Sequence, residues 1–190
     1  MDKKQVWKAG NMLYPVPAVM VSCAGRDGRK DIVTIAWTGT VCSDPVMVSI
    51  SVRPERYSYG LIRETGEFVI NLTTGELTYA TDWCGVKSGR DVDKFAAMEL
   101  TALPAETLAH APLIAESPLS LECRVKDVLE LGSHHMFLAE VTAVQVSGRF
   151  MSENGKFELN GTGLVCYSHG EYFELGRRIG KFGYSVKKRR

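Results

Sequence analysis

The sequence predicts an antiparallel β-barrel with peripheral helices. Three observations support this: apolar runs of strand length follow one another at short spacing, turn residues separate them, and few segments have helical periodicity. Strands joined by short turns leave no room for the crossover helices of a parallel doubly wound sheet. The 190 residues are 45% apolar and 24% charged, which is typical of one folded domain. We therefore expect a single domain over residues 1–190, ending in a basic tail at residues 187–190.

The first two strands are predicted to form a hairpin. Residues 18–24 are apolar, residues 31–38 alternate in polarity, and the pair Asp27-Gly28 between them is typical of a tight turn. Residues 46–52 follow as a third strand. Pro45 stands at the entrance of that strand, where the missing backbone N–H is tolerated.

Three helices and one strand are predicted in the middle of the chain. Pro54 begins the first helix, since its missing N–H costs nothing in a first turn, and Gly66 ends it as a C-terminal cap. Residues 68–72 read as a strand. The spacing of Thr73 and Glu76 matches a capping box for a second helix. A third, short helix is expected over residues 91–98.

The second half of the chain predicts mainly strands. The segment 101–118 contains three prolines and little periodicity, so we expect a loop. Two long strands follow over residues 119–131 and 136–146, with residues 132–135 as the turn between them. Shorter elements are expected near the end, at residues 157–159, 164–167 and 172–173.

Composition excludes several classes of function. A net charge of +1 offers no general attraction for nucleic acid. No run approaches the roughly 20 apolar residues of a membrane span, and no secretory signal is visible, so we expect a cytoplasmic protein. The five cysteines form no CxxC pair, which argues against zinc and dithiol redox chemistry and fits reduced thiols.

One segment, residues 49–59, has the character of an anion site. A strand ends there and a helix begins, so free backbone N–H groups and the helix dipole face the junction. Arg53 and Arg56 could supply forked donors to a phosphate, and Ser51 and Ser58 could supply hydroxyl groups. The alternative is that the two arginines form surface ion pairs with neighbouring glutamates.

A second polar cluster occupies residues 87–95. Gly89 permits close approach of a ligand to the backbone, and Ser88, Arg90 and Lys94 are donors beside it. The alternative is a solvated loop that leads into a helix. Neither GxGxxG nor GxxxxGK[ST] is present, so a Rossmann or P-loop phosphate site is not predicted.

Hydrolytic and metal chemistry have little support. The sequence contains no GxSxG motif. His134 and His135 would point to opposite faces of an extended segment, so they are not expected to bind one metal ion. Each histidine is more simply explained as a hydrogen-bonded turn or core residue.

Several segments, taken in order, resemble the flavin reductase-like, FMN-binding split-barrel family, and within it the flavoredoxin branch. They are PVPAVMVSCAG, the run from DIVTIAWTG to EFVINL, SGRDVDKF, LGSHHMFLAEV and YSHGEYFELGRRIGKFGYSV. The resemblance extends from Pro15 to Val186. It implies a six-stranded antiparallel split β-barrel that forms a homodimer, with FMN bound non-covalently near the subunit interface.

The resemblance also implies which residues bind the cofactor. One group lies along the isoalloxazine ring, a second holds the phosphate and ribityl chain, and a third belongs to a loop that closes over FMN. In that order the groups are Thr34, Ala36, Trp37 and Thr38; Ser51, Arg53, Tyr57 and Ser58; and Ser88, Asp93, Lys94 and Phe95. Arg53, Arg56 and Lys94 are the cations expected around the phosphate. His134 matches a family histidine at the start of the last long strand.

The function implied is that of an FMN-dependent oxidoreductase, specifically a flavoredoxin-like electron carrier. The flavin would perform the chemistry, so no protein acid, base or nucleophile is predicted. An NAD(P)H:flavin reductase that releases reduced flavin and a non-enzymatic flavin-binding protein are the alternatives. A pyridoxamine-phosphate-oxidase-like enzyme is a weaker one, since it needs a second phosphate site. The expected electron donor is NAD(P)H or a redox partner protein, with no nucleic acid or membrane involved.

Overall fold

The fold is mostly β, as predicted, in a computed structural model that describes residues 2–186. The basic tail at residues 187–190 lies outside the described residues. The strands in chain order are β1 (Val16–Pro17), β2 (Val19–Ala24), β3 (Lys30–Ile35), β4 (Thr38–Ser43), β5 (Val46–Val52), β6 (Glu67–Leu72), β7 (Ala102–Leu103), β8 (Leu113–Ile114), β9 (Leu119–Leu131), β10 (His134–Val146), β11 (Val165–Ser168) and β12 (Glu171–Glu174). The α-helices are α1 (Tyr57–Thr65), α2 (Thr78–Val86) and α3 (Lys94–Ala97), and short 3-10 turns cover Gly148–Phe150, Leu159–Gly161 and Tyr184–Val186.

The largest sheet has seven strands in the order β3-β2-β6-β9-β10-β5-β4, and every neighbouring pair is antiparallel. Strand β3 also contacts β5, so the sheet curls around an interior. The predicted hairpin of β2 and β3 is present. The fold class is therefore confirmed, with one strand more than the six expected.

The additional strand is β4, which begins at Thr38, the last residue of the single strand that was expected over residues 31–38. Strand β3 instead ends at Ile35, the chain turns at Ala36-Trp37, and Thr38 begins β4, which pairs with β5 at the edge of the sheet. Alternation alone concealed this break, because Ala36 and Trp37 continue the polarity pattern across the turn. The turn is important because it exposes Ala36 and Trp37 to a cavity.

Two apolar clusters stabilise the barrel, one on each side of β2. The interior cluster includes the fully buried Val21, Ile50 and Phe68. The outer cluster joins Met20 and Ile32 to helices α2 and α3. Because both faces of β2 are covered, its residues are apolar on both faces, apart from the buried Ser22, instead of alternating in polarity.

The helix predictions were partly right. Gly66 ends α1 with φ of 70°, and its N–H donates to Ile62, as predicted. The predicted start at Pro54 was wrong, since α1 begins three residues later at Tyr57. The predicted capping box was also wrong: α2 has no side-chain cap, and the Thr73 hydroxyl instead accepts a hydrogen bond from Thr81.

The segment 101–118 is a loop, as predicted, although it contains the short β7–β8 pair. Two buried carboxylates hold it against the main sheet. Glu122 accepts backbone hydrogen bonds from Glu106 and Thr107, and Glu67 accepts them from residues 109–111. These bonds satisfy loop N–H groups that have no strand partner.

The two long strands are confirmed, but His134 and His135 belong to β10 rather than to the turn, which leaves a two-residue turn. A second, three-stranded sheet has the order β1-β11-β12. It pairs β1, near the start of the chain, with β11 and β12, the last two strands. Through an isolated bridge between Thr74 and Leu164, it is also connected to the segment that leads into α2.

Candidate functional site

A cavity of about 400 Å³, the main cavity, lies where the large sheet, α2 and the three-stranded sheet meet. This volume is within the range of small-molecule sites. Five of the residues predicted to bind the cofactor line it: Thr34, Ala36, Trp37, Ser51 and Arg53. The structure therefore brings together residues from the end of β3, from the β3–β4 turn and from the end of β5.

The strand-side wall of the main cavity consists of residues 33–37. The Trp37 carbonyl accepts a hydrogen bond of 2.9 Å from the Ser51 N–H, which ties the turn to β5. The Thr34 hydroxyl donates to the Thr81 carbonyl in α2. Gly85 packs against this wall so closely that a Cβ there would lie 3.0 Å from the Cβ of Thr34. These contacts fix the position of residues 33–37 relative to β5 and α2.

Two arginines form one end of the main cavity. Arg53 lies 3.5 Å from Glu55, and half of its side chain is exposed. Such an exposed pair is weak and easily exchanged for another anion. Arg56 donates at 3.0 Å to the Gly85 carbonyl and forms no ion pair within the described part of the chain. This end of the cavity is therefore the one suited to an anion.

A side cavity of about 120 Å³ continues from Arg56. It is lined by the predicted residues Tyr57, Ser58 and Ser88 and also by Arg90. The guanidinium of Arg90 lies 5.7 Å from the centre of the Tyr57 ring and donates to the Glu55 carbonyl. The two polar clusters of the sequence, residues 49–59 and 87–95, therefore meet here.

Lys94 also lines the side cavity, but internal partners engage its ammonium, which is therefore not free for a phosphate, contrary to the expectation from the sequence. Its side chain is 3% exposed, and its ammonium lies 3.1 Å from the Asp31 carboxylate. It also donates to the carbonyls of Ile32 and Cys84. Asp31 in turn accepts from the Ser58 hydroxyl. Both Lys94 and Ser58 are thus occupied by internal partners.

Three further predicted residues lie outside the main cavity. Asp93 caps α3 by accepting from the Ala96 N–H at 3.1 Å. Phe95 is buried in the outer apolar cluster. The Thr38 hydroxyl donates to the Ser49 carbonyl at 2.8 Å, and Thr38 lines an adjoining cavity of about 490 Å³.

His134 lies at the rim of the main cavity. Its ring is nearly parallel to that of Trp37, with an interplanar angle of 3° and 6.3 Å between ring centres. Burial lowers the pKa of His134, and the nearby Arg53 lowers it further. The imidazole is therefore neutral at pH 7. His135 points the other way, as expected from the alternation, and its Nδ1 lies 2.8 Å from the Tyr59 hydroxyl.

Sequence reasoning missed the wall opposite residues 33–37. Asp82, Tyr167 and Tyr172 line that side of the main cavity. The signal was present in the alternation around Gly170, which places Tyr167 and Tyr172 opposite each other on one face of a hairpin. No cluster of three or more metal-binding side chains occurs within residues 2–186. Over the same residues, no helix has the length and hydropathy needed to span a bilayer.

A curled antiparallel sheet with a cavity of this size and two arginines in its lining defines a barrel protein suited to a small anionic ligand. Residues 11–176 match the family model described as "Flavin reductase like domain". The chain belongs to the flavin reductase-like family.

Specific relatives agree with this assignment. Flavoredoxin of Desulfovibrio vulgaris (Miyazaki F) superimposes with a TM-score of 0.89 at 30% identity, over 97% of this chain and 100% of that one. A protein of Aeropyrum pernix is 37% identical over 70% of this chain and 50% of its own length. The reductase component of a 4-nitrophenol 4-monooxygenase/4-nitrocatechol 2-monooxygenase of Rhodococcus opacus is 30% identical over 67% of this chain and 64% of its own length. The chain thus spans half to about two thirds of these two curated relatives.

The predicted resemblance to the flavoredoxin branch is confirmed. The assignment as a flavin-dependent oxidoreductase is confirmed at the level of the family. The assignment of individual cofactor-binding residues stays a prediction.

Proposed function

We propose that this chain binds FMN non-covalently in the main cavity and acts as a flavoredoxin-like electron carrier. The observation that supports this most directly is that one cavity is lined by residues 33–37 and by both Arg53 and Arg56. FMN has the matching shape and charge, since a planar ring with polar edges is joined by a short chain to a doubly charged phosphate. The described residues therefore fit the group.

Each part of the main cavity has a role in this proposal. The strand-side wall holds the ring, with backbone groups of Ala36 and Trp37 at its edge. Arg53 and Arg56 hold the phosphate near the N-terminus of α1, where the helix dipole also favours an anion. FMN supplies the electron-transfer chemistry when it is bound. His134, neutral at pH 7, offers a hydrogen-bonding edge without placing a second positive charge beside the ring.

The proposal is tested on the full chain by its absorbance spectrum and by titration with FMN. Arg53→Ala removes a charged hydrogen-bond donor worth about 1.5–3 kcal/mol. This corresponds to FMN affinity that is about 10- to 100-fold weaker, while the melting temperature of the apoprotein changes little because Arg53 is half exposed. Arg63→Ala is the matched control, since Arg63 is an exposed arginine in the last turn of α1 and does not line the main cavity.

Two outcomes contradict the proposal at different levels. FMN affinity that is the same in Arg53→Ala and in the wild type excludes Arg53 from the site. A full chain that binds no FMN at all, although it is folded, refutes the flavoprotein assignment for this cavity.

The alternative is an NAD(P)H:flavin reductase, which the likeness to the Rhodococcus opacus reductase component favours. Anaerobic mixing with NADH and with NADPH separates the two functions. Rapid bleaching of the flavin band and turnover with added free FMN indicate the reductase. Bleaching only through a reduced partner protein indicates the carrier, and no bleaching under either condition indicates a protein that merely binds flavin.

We also propose that the chain forms a homodimer and works in the cytoplasm. Large apolar side chains are exposed at both ends of the described chain, including Trp7, Leu13 and Ile179 at 77%, 87% and 85%. Large apolar side chains that are exposed to water favour association with a second copy of the chain, because association buries them. Sedimentation equilibrium tests the dimer, and a single species of about 21 kDa, the mass of one chain, contradicts it.

A further inference from the structure

The two histidines at the start of β10 face different parts of the molecule. His134 lines the main cavity, whereas His135 points to the other side of the strand, because neighbouring residues of a strand alternate in direction. The Nδ1 atom of His135 lies 2.8 Å from the hydroxyl of Tyr59 in α1. The two rings meet edge-on, with 5.4 Å between their centres and an interplanar angle of 77°. The proposed FMN site does not use this hydrogen bond, which we call the His135–Tyr59 contact.

Tyr59 is bonded to the segment that carries the two arginines of the main cavity. Its backbone N–H donates at 3.1 Å to the Arg56 carbonyl, and the Arg56 N–H donates at 3.0 Å to the Arg53 carbonyl. We call residues 53–56 the arginine segment. Arg56 is also the N-cap residue of α1, and its side chain makes no capping hydrogen bond. The first turn of α1 is therefore positioned by contacts with other elements rather than by a local cap.

His135 is connected to both ends of the arginine segment. Its backbone pairs with Val52 in β5, the residue directly before the segment, and its side chain reaches Tyr59, which follows the segment in α1. The Tyr59 ring also packs edge-on against Phe137, with 5.5 Å between centres, and Phe137 is fully buried in the interior cluster. One residue of β10 thus contacts both the strand and the helix between which the arginine segment is held.

The hydrogen bond to Tyr59 is the main polar interaction of the His135 side chain. That side chain is 17% exposed, and Glu130 lies 4.0 Å from the same Nδ1 atom. Because the Glu130 side chain is 68% exposed, this pair contributes little. An apolar residue could fill the space beside the Tyr59 ring, but it would leave the hydroxyl without its partner. The contact therefore depends on a hydrogen-bonding group at position 135.

We propose that His135 is a positioning residue for the phosphate end of the main cavity. Through Tyr59 it holds the arginine segment in the geometry in which Arg53 and Arg56 meet an anion, so these side chains need less ordering when the ligand binds. The inference rests on the proposed function, which assigns the FMN phosphate to these two arginines. It implies that the His135–Tyr59 contact strengthens the binding of a phosphorylated flavin and has no effect on a flavin that lacks the phosphate.

The test compares FMN with riboflavin, which has the same ring and ribityl chain but no phosphate, on the full chain. Binding is followed by the quenching of flavin fluorescence. Tyr59→Phe and His135→Leu each remove the hydrogen bond. Each should weaken FMN affinity by about two- to tenfold, the range of one neutral hydrogen bond, and leave riboflavin affinity unchanged. His135→Asn places an amide near the position of Nδ1 and should restore most of the FMN affinity; a folded His135→Asn that binds FMN as weakly as His135→Leu would contradict the role of the hydrogen bond.

A double-variant cycle separates positioning from a general effect on the fold. In the Arg56→Ala background, Tyr59→Phe should weaken FMN affinity clearly less than in the wild type, because one of the side chains that it positions is absent. Tyr79→Phe is the matched control for the tyrosine, since Tyr79 is 75% exposed in α2. His110→Leu is the control for the histidine, since His110 is exposed in a loop. The melting temperature is measured for every variant.

Four results overturn the proposal while FMN still binds to the wild type. The first is FMN affinity that Tyr59→Phe and His135→Leu leave unchanged. The second is a loss that is equal for FMN and riboflavin, which indicates a purely structural contact. The third is equal binding of FMN and riboflavin by the wild type, since the phosphate then gains nothing from the arginine segment. The fourth is a loss from Tyr59→Phe that is as large without Arg56 as with it. A folded wild type that binds no FMN refutes the proposed function and this inference with it, so the two failures are distinguishable.

Discussion

Replacing Lys94 with Met tests whether this lysine stabilises the fold rather than binding a phosphate. In the native protein its ammonium has three acceptors, which are the Asp31 carboxylate and the carbonyls of Ile32 and Cys84. Methionine is an unbranched side chain only one atom shorter than lysine, but it carries no charge and donates no hydrogen bond. The substitution therefore leaves a carboxylate that is 1% exposed without its charge partner.

The magnitude follows from burial. Removing one partner of a buried ion pair costs about 3–5 kcal/mol, because the remaining charge stays desolvated and unpaired. For a chain of this length, each kcal/mol lowers the melting temperature by about 2–4 °C, so Lys94→Met should melt about 6–20 °C below the wild type. The double variant with Asp31→Asn should recover part of the loss, since no unpaired charge is then left in the interior.

The assay is urea unfolding of the apoprotein, followed by FMN titration at a temperature where the variant is folded. Lys156→Met is the matched control: Lys156 also pairs with a carboxylate, at 2.7 Å from Glu158, but its side chain is 72% exposed. We expect almost no change in its stability. An unchanged unfolding midpoint for Lys94→Met, combined with a loss of FMN affinity like that of Arg53→Ala, would refute the structural role and restore Lys94 as a phosphate ligand.

Two more predictions concern the loop clamp and the thiols. Burial raises the pKa of the Glu122 carboxyl, but hydrogen bonds from Thr107 and Gln145 outweigh this, and the net pKa lies below its ordinary value. Ionised Glu122 therefore stabilises the fold above a pH of about 4.3, and this contribution is lost as the pH falls through the lowered pKa. Glu122→Gln should lower the free energy of unfolding by about 1–3 kcal/mol at pH 7 and by clearly less at pH 3. Equal losses in urea unfolding at both pH values would contradict this role of Glu122. Thiol titration of the native protein should detect only the two partly exposed cysteines, Cys42 and Cys166, and all five cysteines after unfolding. The other three are buried, and burial raises the pKa of the Cys84 thiol to about 11. Reaction of all five cysteines in the folded state would contradict this burial.

The sequence predicted most of the strands because their hydrophobic pattern is local. Residues 119–131 and the Asp27-Gly28 hairpin needed no long-range information, and Gly66 marked the end of α1 by a rule that depends on one residue. The break at Ala36-Trp37 could not be predicted, since it continues the strand pattern and is fixed only by a hydrogen bond to Ser51 in another strand. Elements that depend on tertiary partners are the ones that local patterns miss.

For the candidate site, the sequence identified residue types better than their partners. Arg53 was expected at an anion site and lines the end of the main cavity where we propose that the phosphate binds. Lys94 was grouped with it because both are basic and both belong to polar clusters. Only the fold reveals that Asp31, 63 positions before Lys94 in the chain, occupies that ammonium. The sequence likewise assigned Tyr167 and Tyr172 only to short terminal elements, because no local pattern indicates that they lie beside α2 in the main cavity.

The internal pairing of Lys94 has a consequence for how this nearly neutral protein attracts an anion. With Lys94 neutralised by Asp31, the positive charge at the main cavity comes from Arg53 and Arg56, and Glu55 partly offsets the first. Arg56 is then the less compensated of the two, because its described partner is a carbonyl group rather than a carboxylate. Both side chains meet solvent, so salt screens their attraction within a Debye length of about 8 Å at physiological ionic strength. FMN bound as proposed should therefore lose affinity steadily as salt rises, whereas the buried Asp31–Lys94 pair, and with it the stability of the apoprotein, should be far less sensitive to salt.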